Sequence, residues 1–304
     1  MKKIKLITLF MCIAMAIAGC GKSEEARTVD KQIDEIGEVT LQSSDKITAA
    51  EKAVEMLDSE HADQLDNLDD LKDARKKYEE LVIADKVSKV EKKISEIGAV
   101  TLDSVDKVKE AETEYKKLPK EAKEKISNYE ILENAVSQIG PLKEEKANQL
   151  ISSMRLEEDR VRSMKFYYPS AFRFYSNGSW AADQRCFVLP YLGMDKNSCW
   201  LRLICNYTGD DWVFFKGIIF AVDGTQYTRS YNYFDIVRDN ESGDVWEYID
   251  SEVTDSDVEL LKKIANSNET IVRFQGDDYS HDFIVSAADK EAIKNVVTVY
   301  ELKN

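Results

Sequence analysis

Residues 29–57 read VDKQIDEIGEVTLQSSDKITAAEKAVEML, and residues 90–118 read VEKKISEIGAVTLDSVDKVKEAETEYKKL. The two stretches align at an offset of 61: Ile36, Gly37, Val39, Thr40 and Leu41 return as Ile97, Gly98, Val100, Thr101 and Leu102. Weaker agreement continues through Leu57/Leu118, Asn67/Asn128, Leu71/Leu132 and Ala74/Ala135. Register held over so long a stretch marks a duplicated unit, which restricts this part of the chain to a stack of like elements.

Each unit reads as helices with defined stops. Gly37 and Gly98 stand where a glycine ends a helix, and a short extended Val-Thr-Leu follows. Ser104 or Asp103 can cap the next helix, and Val105, Val108, Ala111, Tyr115 and Leu118 keep helical spacing up to Pro119. In the first unit, Leu71, Ala74, Tyr78, Leu81, Val90, Ile94 and Ile97 predict one helix from about residue 68 to 97, roughly 45 Å long. The second is expected to stop at Ile139-Gly140-Pro141, with a further helix over 143–164. The expected divisions are repeat 1 over 29–89, repeat 2 over 90–142 and a connecting helix over 143–164. The Ile-x-x-Ile-Gly-x-Val-Thr-Leu core resembles helical repeats of Gram-positive surface proteins. That resemblance implies a spacer or an adhesive module, and it brings no catalytic residues.

Composition changes after Met164. All four Trp, ten of the eleven Phe and eleven of the fourteen Tyr lie beyond it, a shift from helix formers to strand and turn residues. Strands are expected over 185–192, 199–207, 212–222, 225–234, 245–251, 270–275 and 280–285. Asp223-Gly224 marks a two-residue hairpin turn. Thr254-Asp-Ser-Asp257 and Ser286-Ala-Ala-Asp289 each open a helix with a hydroxyl cap and an acid three residues on. The predicted fold class is therefore α+β and multidomain: N-terminal helical repeats, then a mainly antiparallel β domain with two helices over 165–304. The segments TGDDWVFF, RDNESGDVWEYID and ANSNETIVRFQGDDY resemble an uncharacterised domain found at the C-termini of bacterial secreted proteins, which implies one fold unit and no particular activity.

The chain opens MKKIK, followed by thirteen mostly apolar residues, Leu6 to Ala18. That stretch is too short to span a bilayer core, which needs roughly twenty helical residues, and it fits the h-region of an export signal. Ile17-Ala18-Gly19-Cys20 resembles the lipobox of bacterial lipoproteins. The resemblance implies removal of residues 1–19, a diacylglyceryl group on the Cys20 thiol, and a linker over 20–28. It places the protein on the extracytoplasmic face of the cell membrane, held by lipid. The formal net charge is −15, and loss of the three leader lysines makes the mature chain more acidic. Such a chain gains no counterion-release energy on nucleic acid, so nucleic acid is not an expected partner.

Catalytic signals are sparse. Of the two histidines, His61 is replaced by Ala122 in the second unit, and His281 is expected to pair with Phe274 in a hairpin where Arg273 meets Asp282. Neither Gly-x-Ser-x-Gly nor His-Glu-x-x-His is present. No Cys-x-x-Cys or Cys/His cluster suggests a metal, and no cofactor is expected. Asp239 to Asp250 only loosely matches a calcium loop, with Asp244 where glycine is needed. Cys186, Cys199 and Cys205 are expected as packed thiols; the alternative is a Cys186–Cys205 bond across a hairpin turning at Asp195-Lys196. The Asp223-Gly224 turn lines up Lys216, Tyr227, Arg229, Tyr231 and Tyr233 on one face. Those rings and cations suit a sugar or peptide, unless the face packs beneath a helix.

The expected function is a non-enzymatic, lipid-anchored surface protein whose helical spacer presents a binding domain to an envelope component or a protein. The alternatives are a glycan hydrolase using two of Asp239, Glu241, Glu247 and Asp250, and adhesion by the repeats alone. A Cys20→Ser chain is expected to leave the membrane fraction. Intact-mass analysis of the wild type should show a diacylated chain beginning at Cys20; an unmodified chain beginning at Met1 would contradict the lipid reading.

Overall fold

The computed structural model describes residues 22–172, 185–241 and 243–304, Glu241 by its backbone alone. The lipobox and Cys20 lie outside the described residues. The chain divides into two compact units, one made of residues up to Gly98 plus Asp106–Glu133, the other of Ala99–Val105 plus Asn134–Asn304. The whole is α+β, with a helical region followed by two antiparallel sheets.

Helix α1 spans Glu24–Asp34, α2 Ser44–Glu55, α3 Ser59–Ala62 and α4 Leu68–Ser95. They are followed by α5 over Val105–Lys117, α6 over Lys120–Lys123 and α7 over Tyr129–Ile151. The stretch expected as a linker up to residue 28 is helical from Glu24. Ser23 accepts from the Ala26 amide, Glu24 and Glu25 suit the helix dipole, and Ala26 is fully buried. Gly37 and Gly98 adopt φ of +62° and +65°, the left-handed backbone expected of terminating glycines.

The helical core is thin, so polar contacts fix the helix ends. Val29, Ile33, Ile36, Ile47, Ala50 and Leu71 form one cluster. Buried Asp30 accepts from the Asp66 and Asn67 amides ahead of α4. Glu91 accepts from the Ser127 amide and hydroxyl ahead of α7, at 2.8 and 2.6 Å, and these bonds hold its carboxyl below its ordinary pKa. Lys46 and Lys107 each donate to the last carbonyls of the preceding helix, on Glu35 and Glu96.

The expected stop at Gly140-Pro141 does not occur, because Pro141 lies inside α7. An internal proline removes one N–H and crowds the carbonyl four residues back, at about 3 kcal/mol. The helix nonetheless continues, burying Leu132 and Ala135 before the proline and Ala147 after it. Nor does a connecting helix run to 164. The Ser152 and Ser153 hydroxyls donate back to Gln149 and Leu150 carbonyls, ending α7. Arg155–Asp159 (β1) and Met164–Tyr168 (β2) then form a hairpin. Sheet structure therefore begins ahead of the expected boundary at 165.

The remaining strands are β3 Phe187–Met194, β4 Cys199–Gly209, β5 Gly217–Val222, β6 Thr225–Ser230, β7 Val237–Glu241, β8 Asp244–Glu252, β9 Thr270–Gln275 and β10 Ser280–Ile284. Helices α8 (Asp255–Asn266) and α9 (Ala287–Lys303) pack on each other, and α9 lies against β3 and β4. The sheet orders are β1-β2-β3-β4-β8-β7 and β10-β9-β5-β6, each wholly antiparallel among the described strands. Phe187, Leu189, Leu203, Phe215, Phe220 and Phe274 belong to one core and are almost completely buried. The Asp223-Gly224 hairpin pairs Phe220 with Tyr227 and Ile218 with Arg229, as expected. In the last hairpin His281 faces Phe274 and Asp282 faces Arg273, also as expected.

The Cys186–Cys205 alternative does not fit the register. Asp195 accepts from the Asn197 and Ser198 amides, which centres the turn on Lys196-Asn197 and sets Cys205 opposite Val188. All three cysteines are free thiols. Burial pushes Cys199 up to about 11 and Cys205 up to about 12. A thiol with so high a pKa carries roughly a hundredfold less thiolate at pH 8 than an ordinary one. Alkylation of folded Cys199 at pH 8 is therefore expected to run about a hundredfold slower than in urea. All three cysteines should label in urea without reductant; a pair that stays unlabelled until reductant is added would contradict free thiols.

Candidate functional site

The five residues expected to share a binding face are divided by the structure. Helix α8 covers part of that face. Lys263 on α8 donates to the Tyr227 hydroxyl at 3.0 Å and stands 4.8 Å over its ring. Arg229 pairs with Asp257 of the α8 capping box at 3.4 Å and donates to the Glu252 carbonyl. The Tyr231 hydroxyl lies 3.9 Å from buried Cys205, and burial pushes its pKa well above the ordinary tyrosine value. Tyr227 and Arg229 are thus held by α8, and Tyr231 is turned toward Cys205 of β4. Lys216 and Tyr233 are exposed and lie 6.0 Å apart, at another site.

That site is built by a carboxylate. Residues 212–216, expected as the start of a strand, form a loop because Glu247 of β8 holds their backbone. Glu247 is fully buried and accepts three successive amides: Val213 at 2.7 Å, Phe214 at 2.6 Å and Phe215 at 3.1 Å. Arg238 of β7, its cross-strand partner, donates to it at 3.0 Å. The three amides form a concave anion-binding nest, and charge-assisted bonds offset the desolvation of a buried carboxylate, several kcal/mol if it stood alone. Arg238 also donates to the carbonyls of Tyr233, Phe215 and Ile236.

Further contacts fix the loop. The Tyr207 hydroxyl donates to the Asp211 carbonyl at 2.7 Å, and burial pushes Tyr207 up to about 12. Gly276 passes so close that a Cβ there would sit 2.1 Å from the Val213 carbonyl oxygen. Phe214 holds a left-handed φ of +52°, a conformation costing a phenylalanine about 1–3 kcal/mol, which persists only where its surroundings enforce it.

This backbone presents a strip of rings outward. Trp212 and Phe214 stack with centroids 5.6 Å apart. The Arg238 guanidinium lies 5.8 Å from the Phe214 ring and 4.0 Å from the Tyr233 ring. Phe234 meets Tyr233 edge-on at 5.7 Å. Phe214 is 42% exposed, Tyr233 39% and Phe234 88%. Sequence reasoning placed Trp212 and Phe214 in a strand over 212–222. The available signal was that WVFF directly follows an acidic turn and contains more large side chains than one strand face buries.

The carboxylates expected of a hydrolase are arranged differently. Glu247 has no vacant geometry, being ringed by four donors. Asp250 accepts from the Tyr191 hydroxyl at 2.8 Å and Arg202 at 2.7 Å. It lies three residues from Glu247 and so on the opposite face of β8. Asp239 pairs opposite Trp246, four residues from Asp250 along the strand, about 13 Å. The Glu241 side chain lies outside what is described. His281 packs 5.1 Å from the Tyr207 ring.

Comparison with family models, with curated proteins and with solved structures finds no match to the chain.

Replacing Glu247 by glutamine leaves Arg238 without its counter-ion and turns an amide donor toward the nest. Glu247→Gln is expected to lower the stability of the unit seen by tryptophan fluorescence by about 3 kcal/mol in urea unfolding. Asp239→Asn, at an exposed position, should change it by less than about 0.5 kcal/mol.

Proposed function

We propose that the protein is a non-enzymatic, lipid-anchored lipoprotein of the extracytoplasmic membrane face, in which a duplicated helical spacer presents a separate β-rich binding domain through the Trp212–Phe234 strip. The observation that carries the binding role is an exposed row of rings whose loop is held in a strained conformation by a buried ion pair. Loops on rigid scaffolds, with strain held locally, are where binding concentrates.

The duplication is supported by contacts that recur at the sequence offset. α2, α3 and α4 begin at 44, 59 and 68, while α5, α6 and α7 begin at 105, 120 and 129. Asp30 and Glu91 serve equivalent helix starts, Lys46 and Lys107 bond Glu35 and Glu96, and Asn67 and Asn128 bond Asp34 and Ser95. The lipid reading is supported by the sequence of residues 1–20 alone; no described helix is long and apolar enough to cross a membrane. The non-enzymatic reading is supported by the carboxylates: a retaining or inverting pair faces its substrate at roughly 5 to 10 Å, whereas Glu247 and Asp250 point to opposite faces.

Phe214→Gly/Phe234→Ser removes two rings while the glycine suits the left-handed backbone. A soluble Cys20→Ser chain should co-sediment with isolated cell envelopes, and the ring variant is expected to lose at least tenfold in that binding. Unchanged co-sedimentation would remove the strip as the binding surface.

A further inference from the structure

Building on the strip as the binding surface, we propose that its ligand is a neutral polysaccharide. The rings give flat apolar surface, on which the C–H face of a sugar can lie. A succession of rings from Trp212 to Phe234 suits several residues of a polymer better than one small molecule. Charge decides among the chemistries that could use such a surface.

Both cations at the strip are already engaged. Arg238 faces Glu247 and three carbonyls, and Lys216 pairs with Asp277. A phosphate polymer or an anionic lipid surface therefore meets no uncommitted cation among the described residues of the strip. It also approaches a chain of net charge −15, in which Asp211 and Asp235 are exposed next to Trp212 and Phe234. A cationic peptide fares poorly for the opposite reason. Two of the four rings where it would gain cation–π energy, Phe214 and Tyr233, already hold the Arg238 guanidinium and the Lys216 ammonium. A neutral ligand carrying hydroxyl donors meets neither conflict. Its hydroxyls can donate to Asp211 and Asp235 while its apolar face stacks, the pairing of ring surface with a few polar groups typical of ligand sites.

The test uses the full Cys20→Ser chain and its Phe214→Gly/Phe234→Ser variant, with tryptophan fluorescence confirming that both fold. The probes are insoluble chitin, insoluble β-1,3-glucan, immobilised polylysine and phosphatidylglycerol vesicles. Retention on at least one of the two glycans is expected, changing less than twofold between 0.1 and 1 M salt because no counterions are released. The variant should lose at least tenfold of that retention. Retention on neither glycan overturns the proposal. Ring-dependent retention on polylysine or vesicles alone overturns the ligand class but leaves the strip as a binding surface. Equal retention of both chains on a glycan overturns the strip as the binding surface and the proposal with it.

Discussion

A single carboxylate organises the 212–216 loop of the β-rich unit. Glu247 lies in the interior, where an unpaired charge would cost several kcal/mol, and it is satisfied by three consecutive amides and Arg238. Those four bonds account for features that otherwise look unrelated. They turn residues 212–216 out of the sheet, hold Phe214 in a left-handed conformation, and place Arg238 between the rings of Phe214 and Tyr233. Gly276 and Tyr207 close the remaining sides of the loop. The strip is thus ordered by the unit's own hydrogen bonds.

Elements specified by local chemistry were legible in the sequence. The Asp223-Gly224 turn fixed its hairpin register, the Arg273/Asp282 pairing followed from the alternation in the last hairpin, and Thr254 and Ser286 cap their helices as their spacing suggests. Gly37 and Gly98 end helices because they alone take φ above zero there without strain. What was not legible depends on partners distant in sequence. The 212–216 run reads as strand by composition, and only a glutamate more than thirty residues on makes it a loop. The tyrosine face of β6 has the pattern of a ligand platform, yet Asp257 and Lys263 of α8 claim it. The hairpin after Met194 shows how small the margin is: moving the turn centre by one residue moves Cys205 from Cys186 to Val188.

The helical region is stabilised differently. Its buried residues are few and its charged residues many, so helix starts are fixed by acids reaching across from neighbouring helices, and helix ends by lysines on carbonyls. Exposed pairs such as Lys117–Glu114 add little individually. Such a construction tolerates sequence drift at most surface positions while keeping its helix starts. The survival of α7 through Pro141 fits the same picture, since burial of Leu132, Ala135 and Ala147 on either side outweighs one lost hydrogen bond.

The most direct measurement of the central claim is amide hydrogen exchange at Val213, Phe214 and Phe215 in the intact chain. If the buried carboxylate holds the loop, these three amides exchange as slowly as those of the neighbouring strands, opening only with the unit itself. Exchange at the rate of an unstructured chain would show that the loop is not held by Glu247, and the ordered aromatic strip would lose its physical basis.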